Sequence, residues 1–218
     1  MHLATPIGHD APERNDITMN LPNKLTLLRV ALIPVFMVFA WGTSAEGYAG
    51  VAQWCYLLAG IVFAAASFTD FLDGFLARKN HMVTDFGKFA DPLADKLLTT
   101  VAFIYMLVSG VCSPVVLAII LAREFAVSGV RMVAASAPGG KVIAANIWGK
   151  LKTVLQMLTI IVYYFGMFFE SFTSGQTPNS LSVTHLVSYG LCWLVAIVTA
   201  LSGVQYIWQN RGFINTAK

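Results

Sequence analysis

Five of the eleven acidic residues in this 218-residue chain fall within 26 positions: Asp70, Asp73, Asp85, Asp91 and Asp95. Asp70 and Asp73 are three apart and Asp91 and Asp95 four apart, so on helices each pair shares one face. Both pairs adjoin long apolar runs. Carboxylates crowded at the edge of such runs repel one another, and without compensation they protonate. Divalent cations remove that repulsion. Mg²⁺ and Mn²⁺ take oxygen ligands, and two such ions can clamp both oxygens of a phosphoryl displacement. Four aspartates in this pattern point to metal-assisted phosphoryl chemistry. The simpler alternative is that each acid caps a helix or meets water. Asp91, standing before Pro92, has the chemistry of an N-cap for the following helix. Asp85 is expected in the connecting loop, in water.

The residues around these acids extend the pattern. Gly74 and Ala77 leave a bare strip of helix beside Asp73 where a ligand can approach the backbone, although small residues also serve helix packing in membranes. Arg78 follows, a partner for a phosphate. Gly87, four residues before Asp91, permits a close crossing of the second and third helices. Upstream, Asn23, Thr26 and Arg29 recur every third residue, either one polar stripe of an interfacial helix or an ordinary amphipathic anchor. Downstream, Arg123 and Arg131 lie inside an apolar run, and Arg131 stands seven residues after Glu124, so those two face alike. A buried arginine needs an anionic partner.

Six apolar stretches must position these groups: roughly 25–41, 50–71, 93–111, 114–135, 154–169 and 186–208. Each approaches the ~20 residues that cross a hydrocarbon core of ~30 Å. Lipid requires every backbone group to pair internally, so these spans are helices. Composition agrees: 57% of residues are hydrophobic and 11% charged, against roughly 25% charge in soluble domains. Cys55, Cys112 and Cys192 sit in apolar runs without a CxxC pair and read as small core residues. No basic tract interleaved with aromatics suggests nucleic acid as a partner.

With six crossings, both termini share one side. The three opposite loops, 42–49, 110–113 and 170–185, contain no Lys or Arg. This asymmetry puts both termini and the acidic cluster in the cytoplasm, with the chain in the cell membrane. Residues 1–19 are polar, lack the apolar core of a signal peptide, and are expected as a flexible tail. Residues 20–210 form one membrane domain, and 211–218 a cytoplasmic tail. The expected fold is an all-α integral membrane protein of six transmembrane helices with an N-terminal interfacial amphipathic helix.

Asp70-Phe-Leu-Asp73-Gly74-Phe-Leu-Ala77-Arg78, eight residues, then Gly87-x3-Asp91-x3-Asp95 resembles the signature DxxDGxxAR(x8)GxxxDxxxD of the CDP-alcohol phosphotransferases, with all eight fixed positions and the spacing matched. Two further stretches are similar to the phosphatidylglycerophosphate-forming branch of that family: Leu21-Pro-Asn23-Lys-Leu-Thr26-Leu-Leu-Arg29, and Ala122-Arg123-Glu124-Phe-Ala-Val-Ser-Gly-Val-Arg131 followed by Gly149-Lys150-Leu-Lys152-Thr153 and Gln156. The resemblance covers roughly residues 19–210. It implies a six-helix homodimer that binds a CDP-linked donor through two divalent ions, Mg²⁺ or Mn²⁺. Asp70, Asp73, Asp91 and Asp95 then hold metal, and Asp95 is also the general base. Gly74, Ala77 and Arg78, with Asn23, Thr26 and Arg29, receive the donor.

Arg123 and Arg131, with Lys141, Lys150 and Lys152, suit a phosphorylated acceptor such as glycerol 3-phosphate; serine or choline would not require such a cluster. The structural alternative pairs Arg123 with Glu124 or helix carbonyls and leaves the lysines to topology. Membrane lipid and CDP-diacylglycerol complete the expected partners. The competing functions are transfer to inositol phosphate or phosphatidylglycerol, and a cation-coupled transporter. The last would favour an ion site near the midplane in repeated halves, and no repeat is visible.

Overall fold

The computed structural model describes the backbone of residues 21–44, 49–80, 85–136, 147–174 and 181–210, and the side chains of 27–44, 50–69, 96–132, 147–174 and 181–210. Both expected tails lie outside these residues, as do Lys141 and the side chains of Asn23, Thr26, Asp70, Asp73, Gly74, Ala77, Arg78, Asp91 and Asp95. The described chain is all helical: α1 (Leu21–Gly42), α2 (Ala49–Asn80), α3 (Asp85–Val108), α4 (Pro114–Ser136), α5 (Ile147–Ser174) and α6 (Val183–Gln209). Each apolar stretch has become one helix.

Three of the helical stretches are long and apolar enough to cross a membrane: 50–69, 147–174 and 183–209. The apolar parts of α1 and α3 are shorter, and α4 carries Arg123, Glu124 and Arg131 in its length. Large apolar side chains face outward, among them Trp41, Trp54, Phe125, Phe169, Leu186 and Trp208. Such a surface belongs in lipid, where it incurs no hydration penalty.

Helix ends depart from the apolar boundaries. The helix α2 runs nine residues beyond Phe71, carrying Asp70 and Asp73 within it. The start of α3 is Asp85, not a loop position, so Asp91 and Pro92 lie inside the helix and Asp91 is not its N-cap. Phe86, Phe89 and Leu93 explain the extension: their spacing continues one apolar face upstream. That face offsets the backbone bond that Pro92, lacking an N–H, cannot donate. The stretch expected as an interfacial helix is the first part of α1, unbroken to Gly42.

Packing does not follow chain order. Among the described residues α1 packs on both α2 and α3, α2 on α5, α5 on α6, and α6 on α4, while α2 and α3 touch only lightly. Phe36 of α1 meets Phe63 of α2 and Tyr164 of α5, the latter edge-on at 5.5 Å between ring centroids. Gly60 permits the α2–α5 approach: a Cβ there would lie 3.1 Å from the Phe165 ring. The α3–α4 turn is closed by Gly110, whose φ of +75° is left-handed. Gly110 N donates to Leu107 O and Val111 N to Met106 O, the paired bonds of a Schellman motif that satisfy carbonyls at the end of α3. At the start of α6, Ser182 Oγ accepts from His185 N and Glu170 Oε2, from the end of α5, accepts from Thr184 N at 3.0 Å.

Candidate active site

The aspartates occupy two helix ends that the chain brings round through a four-residue connection. Asp70 and Asp73 lie on α2 ahead of its end at Asn80; Asp91 and Asp95 lie on α3 after its start at Asp85. Their three- and four-residue spacings are therefore helical, so each pair shares a face. Among the residues whose side chains are described, no group of three or more His, Cys, Asp or Glu gathers. Arg29 is completely buried, the largest such side chain. It shares one face of α1 with Ile33, Phe36 and Ala40, all buried. It therefore belongs to the bundle interior rather than to a water-facing stripe, and a cation taken out of water in this way requires compensating charge or hydrogen bonds.

A second charged cluster is visible side chain by side chain. It joins α3, α4, α5 and α6. Glu124, Ser128 and Arg131 recur on α4 at positions i, i+4 and i+7, one face of the helix. Lys96, the residue after Asp95, donates its Nζ to Ser128 Oγ. Lys152 Nζ is in ionic contact with Glu124 Oε1, and Arg123 Nη1 lies 3.7 Å from the same oxygen. Arg123 Nη2 donates to Ser202 Oγ on α6 at 2.9 Å. Arg131 Nε donates to Tyr206 Oη at 3.3 Å, and its guanidinium stands 5.6 Å from the centre of the same ring.

Small residues let this happen. A Cβ on Gly203 would sit 2.9 Å from Arg123 Cγ, and one on Gly149 would sit 3.3 Å from Arg123 Nη2. The arginine thus fills space that α5 and α6 leave by omitting side chains. Its Nε is buried without a hydrogen-bond partner among the described residues. Lys96, Arg123, Arg131 and Lys152 gather here, and among the described residues Glu124 is in ionic contact with Lys152 and lies near Arg123. A cluster so charged in an apolar bundle favours an added anion.

The site expected from the sequence divides accordingly. Arg123, Arg131 and Lys152 are brought together, and Arg123 does approach Glu124 as the structural alternative supposed. Lys150 is exposed while Lys152 is buried; two residues apart, they point about 200° from each other around α5. Lys150 therefore stands apart from the cluster. Lys96, Ser128, Ser202, Gly203 and Tyr206 were missed. The signal of the last three was present: Thr199, Ser202, Gly203 and Tyr206 form a small and polar stripe at helical spacing through an otherwise apolar α6.

The chain belongs to the CDP-alcohol phosphatidyltransferase family, whose model matches residues 19–201. Its curated relatives point to one activity within that family. A Bacillus subtilis (strain 168) protein named CDP-diacylglycerol–glycerol-3-phosphate 3-phosphatidyltransferase is 37% identical over 203 residues, covering 91% of this chain and 98% of its own. A Rickettsia bellii protein of the same name is 34% identical, over 87% and 94%. A Mycobacterium tuberculosis (strain H37Rv) protein named probable phosphatidylglycerophosphate synthase is 34% identical, over 86% and 80%.

Proposed function

We propose that this protein transfers the phosphatidyl group of CDP-diacylglycerol to sn-glycerol 3-phosphate, giving phosphatidylglycerophosphate and CMP. The observation that carries this reading is the bond from Lys96 to Ser128. It sets the basic cluster of α4 beside the part of α3 that bears Asp91 and Asp95. A phosphorylated acceptor held by the cluster would lie next to the acidic helix ends. The relatives' names supply the donor and the acceptor.

In this reading Gly74, Ala77 and Arg78 on α2, with Asn23, Thr26 and Arg29 on α1, receive the cytidine diphosphate. The four aspartates suit two divalent cations, Mg²⁺ or Mn²⁺, because hard cations take carboxylate oxygens and the two helical pairs offer them in number. Asp70, Asp73, Asp91 and Asp95 would hold those ions, which supply charge neutralisation at the phosphoryl oxygens. Arg123, Arg131 and Lys152 bind the acceptor phosphate, and Lys141 and Lys150 add to the positive charge of the chain that attracts it. The acceptor hydroxyl oxygen bonds to the β-phosphorus as Asp95 accepts its proton. The bond from that phosphorus to the bridging oxygen breaks, and CMP leaves with the oxygen. All six helices span the cell membrane, both termini and the site face the cytoplasm, the start of α1 lies at the interface, and the protein is a homodimer.

The test is an acceptor screen with purified protein in mixed micelles, CDP-diacylglycerol and Mg²⁺ or Mn²⁺. Glycerol 3-phosphate should release CMP and yield one phosphatidylglycerophosphate per CMP. Turnover with inositol phosphate or phosphatidylglycerol but not glycerol 3-phosphate would reassign the acceptor. No CMP release with any acceptor would overturn the transferase reading.

A further inference from the structure

The two arginines of the basic cluster are held differently, and the difference assigns a role to α6. Arg123 is enclosed: Ser202 takes Nη2, Glu124 faces Nη1, and Gly149 and Gly203 close on its stem and tip. Arg131 is exposed, and Tyr206 engages it through Nε and the ring face alone. Its two Nη atoms make no hydrogen bond or ion pair among the described residues. Those Nη atoms form the outer edge of the guanidinium fork, the edge that meets a phosphate in two parallel bonds. Tyr206 itself is buried, 3% exposed, so its ring and hydroxyl are fixed. A long exposed arginine otherwise samples many rotamers, and fixing one of them costs affinity when the ligand must do it.

We infer that Tyr206 is a positioning residue that presents the open edge of Arg131 to the acceptor phosphate, and that α6 thereby contributes to acceptor selectivity. This rests on the reading of the basic cluster as the acceptor site. Ser202 and Tyr206 both lie beyond the residues 19–201 matched by the family model, so the family match does not include them. The role follows from contacts across 75 and 79 residues of chain. Arg123, whose Nη2 is already held by Ser202, contributes its charge from behind.

The experiment compares Tyr206→Phe, Tyr206→Leu and Arg131→Ala in the full-length protein, measuring KM for glycerol 3-phosphate, KM for CDP-diacylglycerol, kcat, and the preference for glycerol 3-phosphate over glycerol. Tyr206→Phe removes one oxygen and keeps the ring, so it tests the role even if the leucine variant does not fold. It should raise the acceptor KM about threefold to tenfold, the worth of one hydrogen bond. Tyr206→Leu also loses the ring face and should reach about thirtyfold. Donor KM and kcat should stay within about twofold, and the preference over glycerol should fall by the same factor as the acceptor KM rises. If Arg131→Ala raises the acceptor KM but neither tyrosine variant does, the positioning role is wrong and the acceptor site stands. If Arg131→Ala also leaves it unchanged, both are wrong. Equal effects on donor and acceptor, or a fall in kcat alone, mark a merely structural tyrosine and overturn the inference.

Discussion

Glu124 is the carboxylate that two buried cations share, and replacing it with Gln should be among the most damaging single changes in the described structure. The side chains of Lys152, Arg123 and Glu124 are 6%, 9% and 15% exposed. Removing one partner of a buried ion pair costs about 3–5 kcal/mol, because excess charge remains where water cannot reach it. Two features put Glu124→Gln near the lower end. Arg123 keeps its bond to Ser202, and its 3.7 Å separation from Glu124 is longer than a hydrogen bond. The loss should therefore be about 3 kcal/mol, arising chiefly at Lys152. For a chain of this size that lowers the midpoint of thermal unfolding by about 6–12 °C. The assay is thermal unfolding in a fixed detergent micelle of the wild type, Glu124→Gln, Lys152→Met and the double variant. Because the double variant removes the charge along with its partner, it should recover at least about 1.5 kcal/mol relative to the sum of the singles. A single-variant cost below about 0.5 kcal/mol, or strict additivity, would refute the claim that Glu124 compensates these cations.

Exhaustive chelation should abolish CMP release, and Mg²⁺ or Mn²⁺ should restore it, because four carboxylates sharing the proposed site would require a cation to remain ionised; full activity in the metal-free protein would remove the metal from the mechanism. Asp95→Asn should bind CDP-diacylglycerol with affinity close to wild type while kcat falls by at least about a hundredfold, the usual worth of a general base; a kcat within tenfold of wild type would assign the proton elsewhere. Single cysteines introduced at positions 46 and 176 should react with a membrane-impermeant maleimide added outside intact cells, and those at 80 and 140 should not, because the stretches 42–49 and 170–185 contain no Lys or Arg; labelling at 80 would reverse the proposed orientation. Ser182→Ala should destabilise the protein by about 1 kcal/mol in thermal unfolding, since it removes the acceptor of the His185 N–H at the start of α6, whereas Ser182→Asp should not; equal losses would mean that the cap contributes nothing.

The six helices were legible because lipid and backbone impose one rule each: an apolar run excludes water, and excluded water forces helical pairing. Their ends were not, for the same reason. Apolarity marks where lipid stops, whereas helical bonding continues until a breaker or a lost face ends it. Hence α2 outruns Phe71 by nine residues and α3 begins eight before Leu93. Asp85, read as a loop residue, opens a helix because Phe86 and Phe89 extend the apolar row behind it. Neighbours in the chain were incomplete guides to neighbours in space: among the described residues α1–α2 and α5–α6 pack closely, but α2 and α3 touch only lightly while α1 reaches α3 and α2 reaches α5. Arg123 and Arg131 were recognisable by their cost in an apolar run, and so was Glu124 beside Arg123, whereas Lys96 joined the cluster only through its bond to Ser128. Ser202 escaped notice because a short hydroxyl in an apolar helix can bond its own backbone, as Thr159 does to Leu155 O, and Tyr206 because its ring passes for an apolar residue while its polar tip lies at the far end. Only the distant arginines give those two residues a purpose.

The bundle distributes bulk and charge unequally along its length, and the distribution explains how so costly a cluster is tolerated. Toward the Gly110 end, Phe36, Tyr56, Tyr105, Tyr163 and Tyr164 stack edge to face across α1, α2, α3 and α5. Aromatic contacts of that kind fix helix positions with large buried areas. Toward the other end, Ser128, Gly149, Ser202 and Gly203 take up little room, and the space they leave is filled by Arg123, while Lys152 reaches Glu124 alongside. Rigid aromatics at one end let the helices hold apart small faces at the other without collapsing onto them. An arginine placed among large side chains would displace them; placed against Gly203, it becomes the packing. Charge is therefore installed in the apolar interior as volume, and its electrostatic cost is offset by Glu124, by the hydroxyls of Ser128, Ser202 and Tyr206 and, in the proposed reaction, by the phosphate that the cluster is built to attract.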